Sequence, residues 1–163
     1  MKRELSCGFS LIELMIVVAI IAILSIIAIP NLTKYLYKAR RAEVYIHLGS
    51  LYTAQRAYWA EHGMYAKALT GPESLCWQPE GYQGGGKKER FYYTYGFGHG
   101  NEGIHYMTGK CGTSVQGLSM TRADKDGFVI GAIADIDGDG DPDIFIIDQR
   151  GVIEHIKDDL SLR

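Results

Sequence analysis

The chain has 163 residues, 47% of them hydrophobic and 22% charged, with 20 glycines, 4 prolines and 3 cysteines. That length suits one domain of ordinary size, and the composition is too apolar and too aromatic for a disordered chain. The formal net charge of −2 at neutral pH exerts no general pull on nucleic acid or anionic lipid, so no nucleic-acid partner is expected. The apolar residues are unevenly spread. Residues 9–29 read FSLIELMIVVAIIAILSIIAI and hold only three polar side chains, Ser10, Glu13 and Ser25. A helix of that length spans roughly 31 Å, the thickness of a bilayer's hydrocarbon core. A cleaved secretory signal has a shorter apolar stretch, about 7–15 residues, closed by a small-residue cleavage site. Here the run continues into Pro30 and further helical sequence, and it reads as one membrane-spanning helix.

Basic residues flank this segment on both sides: Lys2, Arg3 and the amino terminus before it, Lys34, Lys38, Arg40 and Arg41 after it. By itself that count places the larger, carboxy-terminal part in the cytoplasm. Glu13 is the most informative residue within the segment, because an ionisable group inside a membrane span is costly and marks function by default. The plainer alternative is that Glu13 lies close enough to the helix end to reach the interface. No Lys, Arg or His lies between Arg3 and Lys34. A cation meeting Glu13 inside the apolar layer must therefore come from another chain or from a free amino terminus.

Gly8-Phe9-Ser10-Leu11-Ile12-Glu13-Leu14, with a short basic leader before it and Pro30 after it, resembles the amino-terminal signature of type IV prepilins. The resemblance is close over residues 8–65, where LYTAQRAYWAEHGMY (51–65) is similar to the helix end of pilins, and it loosens beyond. It implies a leader, 1–8, cut by prepilin peptidase between Gly8 and Phe9, with N-methylation of the new Phe9 amine. It further implies that Glu13 pairs with the Phe9 amine of a neighbouring subunit, so that both charges are buried together and not singly. Cys7 stands where a basic residue is common in the family, and Ser10 where Thr is usual.

The same resemblance implies a precursor held in the bacterial inner membrane, amino terminus inside and head outside, against the charge count. Assembly would give an extracellular pilus or a periplasmic pseudopilus. The implied partners are further copies of the chain in a homopolymeric filament, minor pilins, prepilin peptidase, and an assembly platform with its motor ATPase. Residues 9–30 would form the transmembrane or filament-core helix, 31–63 its amphipathic half, and 64–163 a globular head. Pro30 lacks an amide hydrogen and crowds the Ile26 carbonyl, which predicts a kink or loosening of the helix.

After Pro30 the pattern stays helical to about His62. Tyr37, Val44, Leu48, Leu51 and Tyr58 recur at spacings of 7, 4, 3 and 7, which puts them on one face, and Gly63 is a plausible stop. The whole helix would run roughly 80 Å. Residues 65–90 read as a loop with Pro72, Pro79 and Gly84-Gly85-Gly86. Strand-like runs follow at 91–97, 104–107, 128–134 and 144–148, with 152–156 as a fifth. The expected fold is α+β, a long amino-terminal helix packed on a four- to five-stranded antiparallel sheet.

Cys76 and Cys111 are the cysteines left once the leader is cut. An even pair in an extracytoplasmic domain suggests a disulfide, worth about 2–4 kcal/mol; the alternative is two free thiols. Between two predicted strands lie Asp135, Asp137, Asp139, Asp141 and Asp143, with Gly138 and Gly140 among them. Five carboxylates in nine residues repel one another unless protonated or joined by a cation. Their spacing follows the opening of an EF-hand loop, Asp141 offering its backbone carbonyl, but Ile146 stands where the bidentate Glu belongs. The segment is more similar to the calcium loops of β-hairpins in integrin-type propeller repeats, and calcium is the expected ligand. The bland alternative is a solvated Asp-Gly turn.

Other motifs fall away. Gly98-His-Gly100-Asn-Glu-Gly103 spells a dinucleotide fingerprint but leads into a strand-like run and not a helix. The five histidines show no paired metal spacing. No nucleophile–base constellation stands out, and no enzymatic activity is expected. The leading expectation is a structural subunit of a type IV pilus. A pseudopilin of a type II secretion system is the related alternative, and a membrane-tethered binding or adhesion module that never polymerises is the distant one.

Overall fold

The computed structural model describes residues 9–160. One long helix, α1 (Leu11–His62), is followed by β1 (Thr94–Gly96), β2 (Tyr106–Met107), a 3-10 turn (Val115–Leu118), β3 (Arg122–Ala123), β4 (Phe128–Ala134), β5 (Asp143–Asp148) and β6 (Ile153–Lys157). The chain divides into two compact units, the first ending at Leu36 and the second beginning at Tyr37.

Both ends of α1 are signalled locally. Ser10 and Glu13 form a capping box: the Glu13 N–H donates to Ser10 Oγ (3.3 Å), and Glu13 Oε2 accepts from the Ser10 N–H (2.9 Å). At the other end Gly63 takes a positive φ of 69° and its N–H returns to the Trp59 carbonyl (2.9 Å), the left-handed stop that glycine favours. The helix therefore ends where the spacing of its apolar residues predicts.

In the second unit the buried helical residues are Val44, Leu48, Leu51 and Gln55, at spacings of 4, 3 and 4. The first three join one core with Tyr65, Leu69, Phe91, Tyr93, Tyr95, Phe97, Phe128, Ile130, Phe145 and Ile147. Each large side chain buried there contributes about 1.5–3 kcal/mol. Gln55 is fully buried but satisfied: its amide donates to the Ala66 carbonyl (2.8 Å) and accepts from the Ala66 N–H (3.0 Å). That pair ties the segment after the helix back onto it.

The sheet is antiparallel throughout, in the order β2-β1-β4-β5-β6. β3 pairs with Phe128 and Val129 of β4, and β1 with residues 131–133, so the two lie end to end along one edge of β4. Alternation along β4 sends Phe128, Ile130, Ala132 and Ala134 to the helix side. Ile133 joins Leu118 and Ile144 in a second cluster, because the 3-10 turn covers the opposite face. The same alternation in β5 places Asp143 on the helix side with Phe145 and Ile147.

All five expected strands are present, some shortened, and β3 is an addition. The run 91–97 contributes only Thr94–Gly96 to the ladder. Its first donors are taken by α1 instead: the N–H groups of Tyr92 (2.9 Å) and Tyr93 (3.4 Å) donate to Glu43 Oε1, which also accepts from the Tyr95 hydroxyl (2.7 Å). Replacing Gln55 with alanine would strand both polar groups of Ala66 in the core, at a cost of about 2 kcal/mol. A urea-unfolding midpoint at lower concentration, with the denaturant slope unchanged, is the expected result.

Candidate functional site

The first unit presents apolar side chains all round. From residue 9 to 36 every side chain is exposed except Ser25 and Thr33, which are half-buried. Phe9 is 83% exposed and Ile26 74%. An apolar surface of this extent calls for cover by lipid or by other protein chains. Among the described residues α1 is the one helix long and apolar enough to cross a membrane. Among the described residues no basic group pairs with Glu13; its Oε2 accepts from both the N–H and the hydroxyl of Ser10 (2.9 and 2.7 Å). α1 runs through Pro30 without interruption, and the Thr33 hydroxyl donates to the Pro30 carbonyl (2.9 Å). Gly8, the residue before the expected cut, lies outside the described residues with the rest of the leader.

The acidic run after β4 is split by the fold into parts with different neighbours. Asp135 Oδ1 accepts from the Gly138 N–H (2.7 Å) and Oδ2 from the Gly140 N–H (3.0 Å). Asp137 and Asp139 accept from the N–H groups of Asp139 (3.2 Å) and Asp141 (2.9 Å). Gly138 and Gly140 hold φ values of 84° and 95°, a region closed to most side chains, so the two glycines are what lets the loop curl around its carboxylates. Oxygens of Asp135, Asp137, Asp139 and Asp159 lie within 4.8 Å of one another. Asp159 enters from the carboxy-terminal turn, 16 residues beyond Asp143, and no local spacing announces it. Burial pushes its carboxyl above the ordinary range; the Ile136 N–H opposes this, and the charges of Asp137, Asp139 and Asp135 reinforce it.

Asp141 and Asp143 do not join that group. Asp141 pairs with Lys157 at the surface (3.0 Å). Asp143 is fully buried and gathers donors from across the second unit: Arg41 Nε and Nη2 (both 2.9 Å), the Tyr93 hydroxyl (2.6 Å) and the Asp159 N–H (3.3 Å). His155 Nε2 lies 2.8 Å from it, with the His155 ring stacked on Phe145 (4.0 Å). Burial, then the bond to Asp143, holds the Tyr93 hydroxyl protonated far above its ordinary value. Arg41 also binds Asp158. Burial alone would raise the Asp158 carboxyl, but the bonds from Arg41 and the Leu160 N–H bring it below the ordinary range. Its pairing therefore stabilises at neutral pH, and that contribution is lost as pH falls through the lowered value.

The structure does not show the expected disulfide. Cys76 and Cys111 are separate thiols, one exposed and one half-buried. Cys76 lines a cavity of about 430 Å³ with Ala54, Ala57 and Tyr58, whereas Cys111 bonds through its N–H to Tyr92 and feels the charge of Arg40.

The Prokaryotic N-terminal methylation motif matches residues 5–29. The type IV major pilin protein PilA of Myxococcus xanthus is 51% identical over 59 residues, 36% of this chain and 27% of that protein. Its amino-terminal part is similar to type IV pilins. The type IV major fimbrial protein FimA of Dichelobacter nodosus is 48% identical over 52 residues, 32% of this chain and 33% of its own. The type II secretion system core protein G of Klebsiella michiganensis is 32% identical over 79 residues, 48% of this chain and 56% of its own. The chain spans between about a quarter and just over half the length of these relatives.

In the second unit, Asp143→Ala would leave the Arg41 guanidinium without its buried partner. A loss of about 3–5 kcal/mol is expected from breaking such a pair, measurable as a lower unfolding midpoint.

Proposed function

We propose that the chain is a pilin-type structural subunit, polymerised through the apolar part of α1 into a type IV pilus. The observation that carries the reading is a membrane-length apolar helix, exposed on all sides, with one carboxylate four residues from Phe9. Packed helices of neighbouring subunits cover the surface that lipid covers before assembly. Prepilin peptidase cuts between Gly8 and Phe9, the new Phe9 amine is methylated, and Glu13 pairs with the Phe9 amine of a neighbour. Until assembly Glu13 serves as the cap of its own helix through Ser10, so the carboxylate is held at the helix start where an incoming amine meets it. The head lies outside the inner membrane. This is the reading for which the matches to pilins and fimbrial proteins over the amino-terminal third speak.

A second reading, a pseudopilin of a type II secretion system, is favoured by the length of the match to core protein G, which extends to nearly half of this chain. With Cys76 and Cys111 apart, a disulfide offers no ground for choosing between them. In either filament the loop after β4 is read as a calcium site in which Asp135, Asp137 and Asp139 offer carboxylate oxygen, the donor type calcium prefers.

The decisive experiment is the intact mass of the chain in filaments sheared from cells. A methylated chain beginning at Phe9, abundant in that fraction, is the expected result. A processed chain found only in the envelope selects the pseudopilin, and an uncut chain overturns the filament reading. Glu13→Val should leave the protein in the membrane and abolish filaments; abundant normal filaments in that variant, seen by electron microscopy, would remove the pairing of Glu13 with a neighbour's amine.

A further inference from the structure

Two groups of ligand-capable side chains in the second unit draw on adjacent residues of the carboxy-terminal turn. Asp143, His155 and Asp158 form the first. Arg41 enters it, bonded to both Asp143 and Asp158, so a guanidinium already supplies the positive charge that those carboxylates require. Asp135, Asp137, Asp139 and Asp159 form the second, and their oxygens converge within the range at which like charges repel strongly.

Asp159 sets this group apart from an ordinary acidic turn. It keeps only 5% of its surface exposed. Its Oδ2 accepts from the Ile136 N–H (3.0 Å), while its Oδ1 is buried with no hydrogen-bond partner among the described residues. A buried carboxylate oxygen in that state is costly, and a divalent cation would satisfy it. We propose that Asp159 is the buried ligand of a calcium site completed by Asp135, Asp137 and Asp139, and that the ion thereby fastens the carboxy-terminal turn to the β4–β5 loop. The proposal rests on the calcium reading of that loop and adds both the ligand and the consequence. Because Asp158 precedes Asp159 and holds Arg41, the turn that the ion fastens is the same one that grips α1.

The test uses the full chain in detergent, with calcium titrated by calorimetry and endoproteinase Lys-C cleaving after Lys157. Wild type and Asp141→Asn should bind calcium within about twofold of each other, since Asp141 belongs to a surface pair of little worth. Asp159→Asn, which keeps an oxygen for the Ile136 N–H, should bind at least about tenfold more weakly, as expected on removing one charged ligand. Calcium should slow release of residues 158–163 from wild type and leave that rate unchanged in Asp159→Asn. Circular dichroism in chelator, equal for variant and wild type, separates a lost ligand from a lost fold. If Asp159→Asn does not fold, the wild-type digestion decides: calcium that binds without slowing the cleavage overturns the proposal. Equal binding and equal protection in Asp159→Asn overturn the role of Asp159 and leave the loop reading standing. A wild-type chain that takes up no calcium at millimolar concentration overturns both.

Discussion

A carboxylate with no exposed surface must find its donors inside the protein, and Asp143 draws them from four separate segments. Arg41 comes from α1, Tyr93 from the approach to β1, His155 from β6 and the Asp159 N–H from the carboxy-terminal turn. Desolvating the Asp143 carboxylate alone would cost far more than any one of these contacts returns, so the contacts stand or fall together. The consequence reaches the acidic run. With Asp143 turned towards the helix and Asp141 paired with Lys157, Asp135, Asp137 and Asp139 remain to line the loop, and the turn that brings Asp159 to them is positioned by its own N–H on Asp143.

The first unit obeys a different constraint. Its side chains are exposed nearly without exception from residue 9 to 36, and from 9 to 30 they are apolar but for Ser10, Glu13 and Ser25, so nothing among its described residues supplies the environment its composition calls for. Glu13, the one carboxylate among residues 9–36, is provided for locally, by the hydroxyl and N–H of Ser10. A capping box of this kind is readable in the letters Ser-Leu-Ile-Glu. It joins a helix-starting role to a residue whose placement in an apolar span already marked it as functional.

Several elements of the head were legible because their causes are local. The start and stop of α1 rest on Ser10, Glu13 and Gly63, and β4 and β5 rest on uninterrupted apolar runs between turn residues. Other features were not, because their causes are distant in sequence. Glu43 shortens β1 by taking the backbone donors of Tyr92 and Tyr93, 49 and 50 residues away. Gln55 is a polar residue on the apolar face of α1, and only the tertiary structure supplies its partner, Ala66. Cys76 and Cys111 invite pairing by parity alone, and the structure shows them as separate thiols.

What the amino-acid order determined unaided is the long helix, its apolar half, the carboxylate at its start and the α+β class. Each depends on interactions within a few residues or on a periodicity that a helix or strand imposes. Which carboxylates of the acidic run face one another, and which residue from the end of the chain joins them, was decided only by tertiary structure. The reason is geometric: alternation along β5 sends Asp143 inward, Arg41 waits there on α1, and the turn beyond β6 then delivers Asp159 to a loop that it follows by some twenty residues.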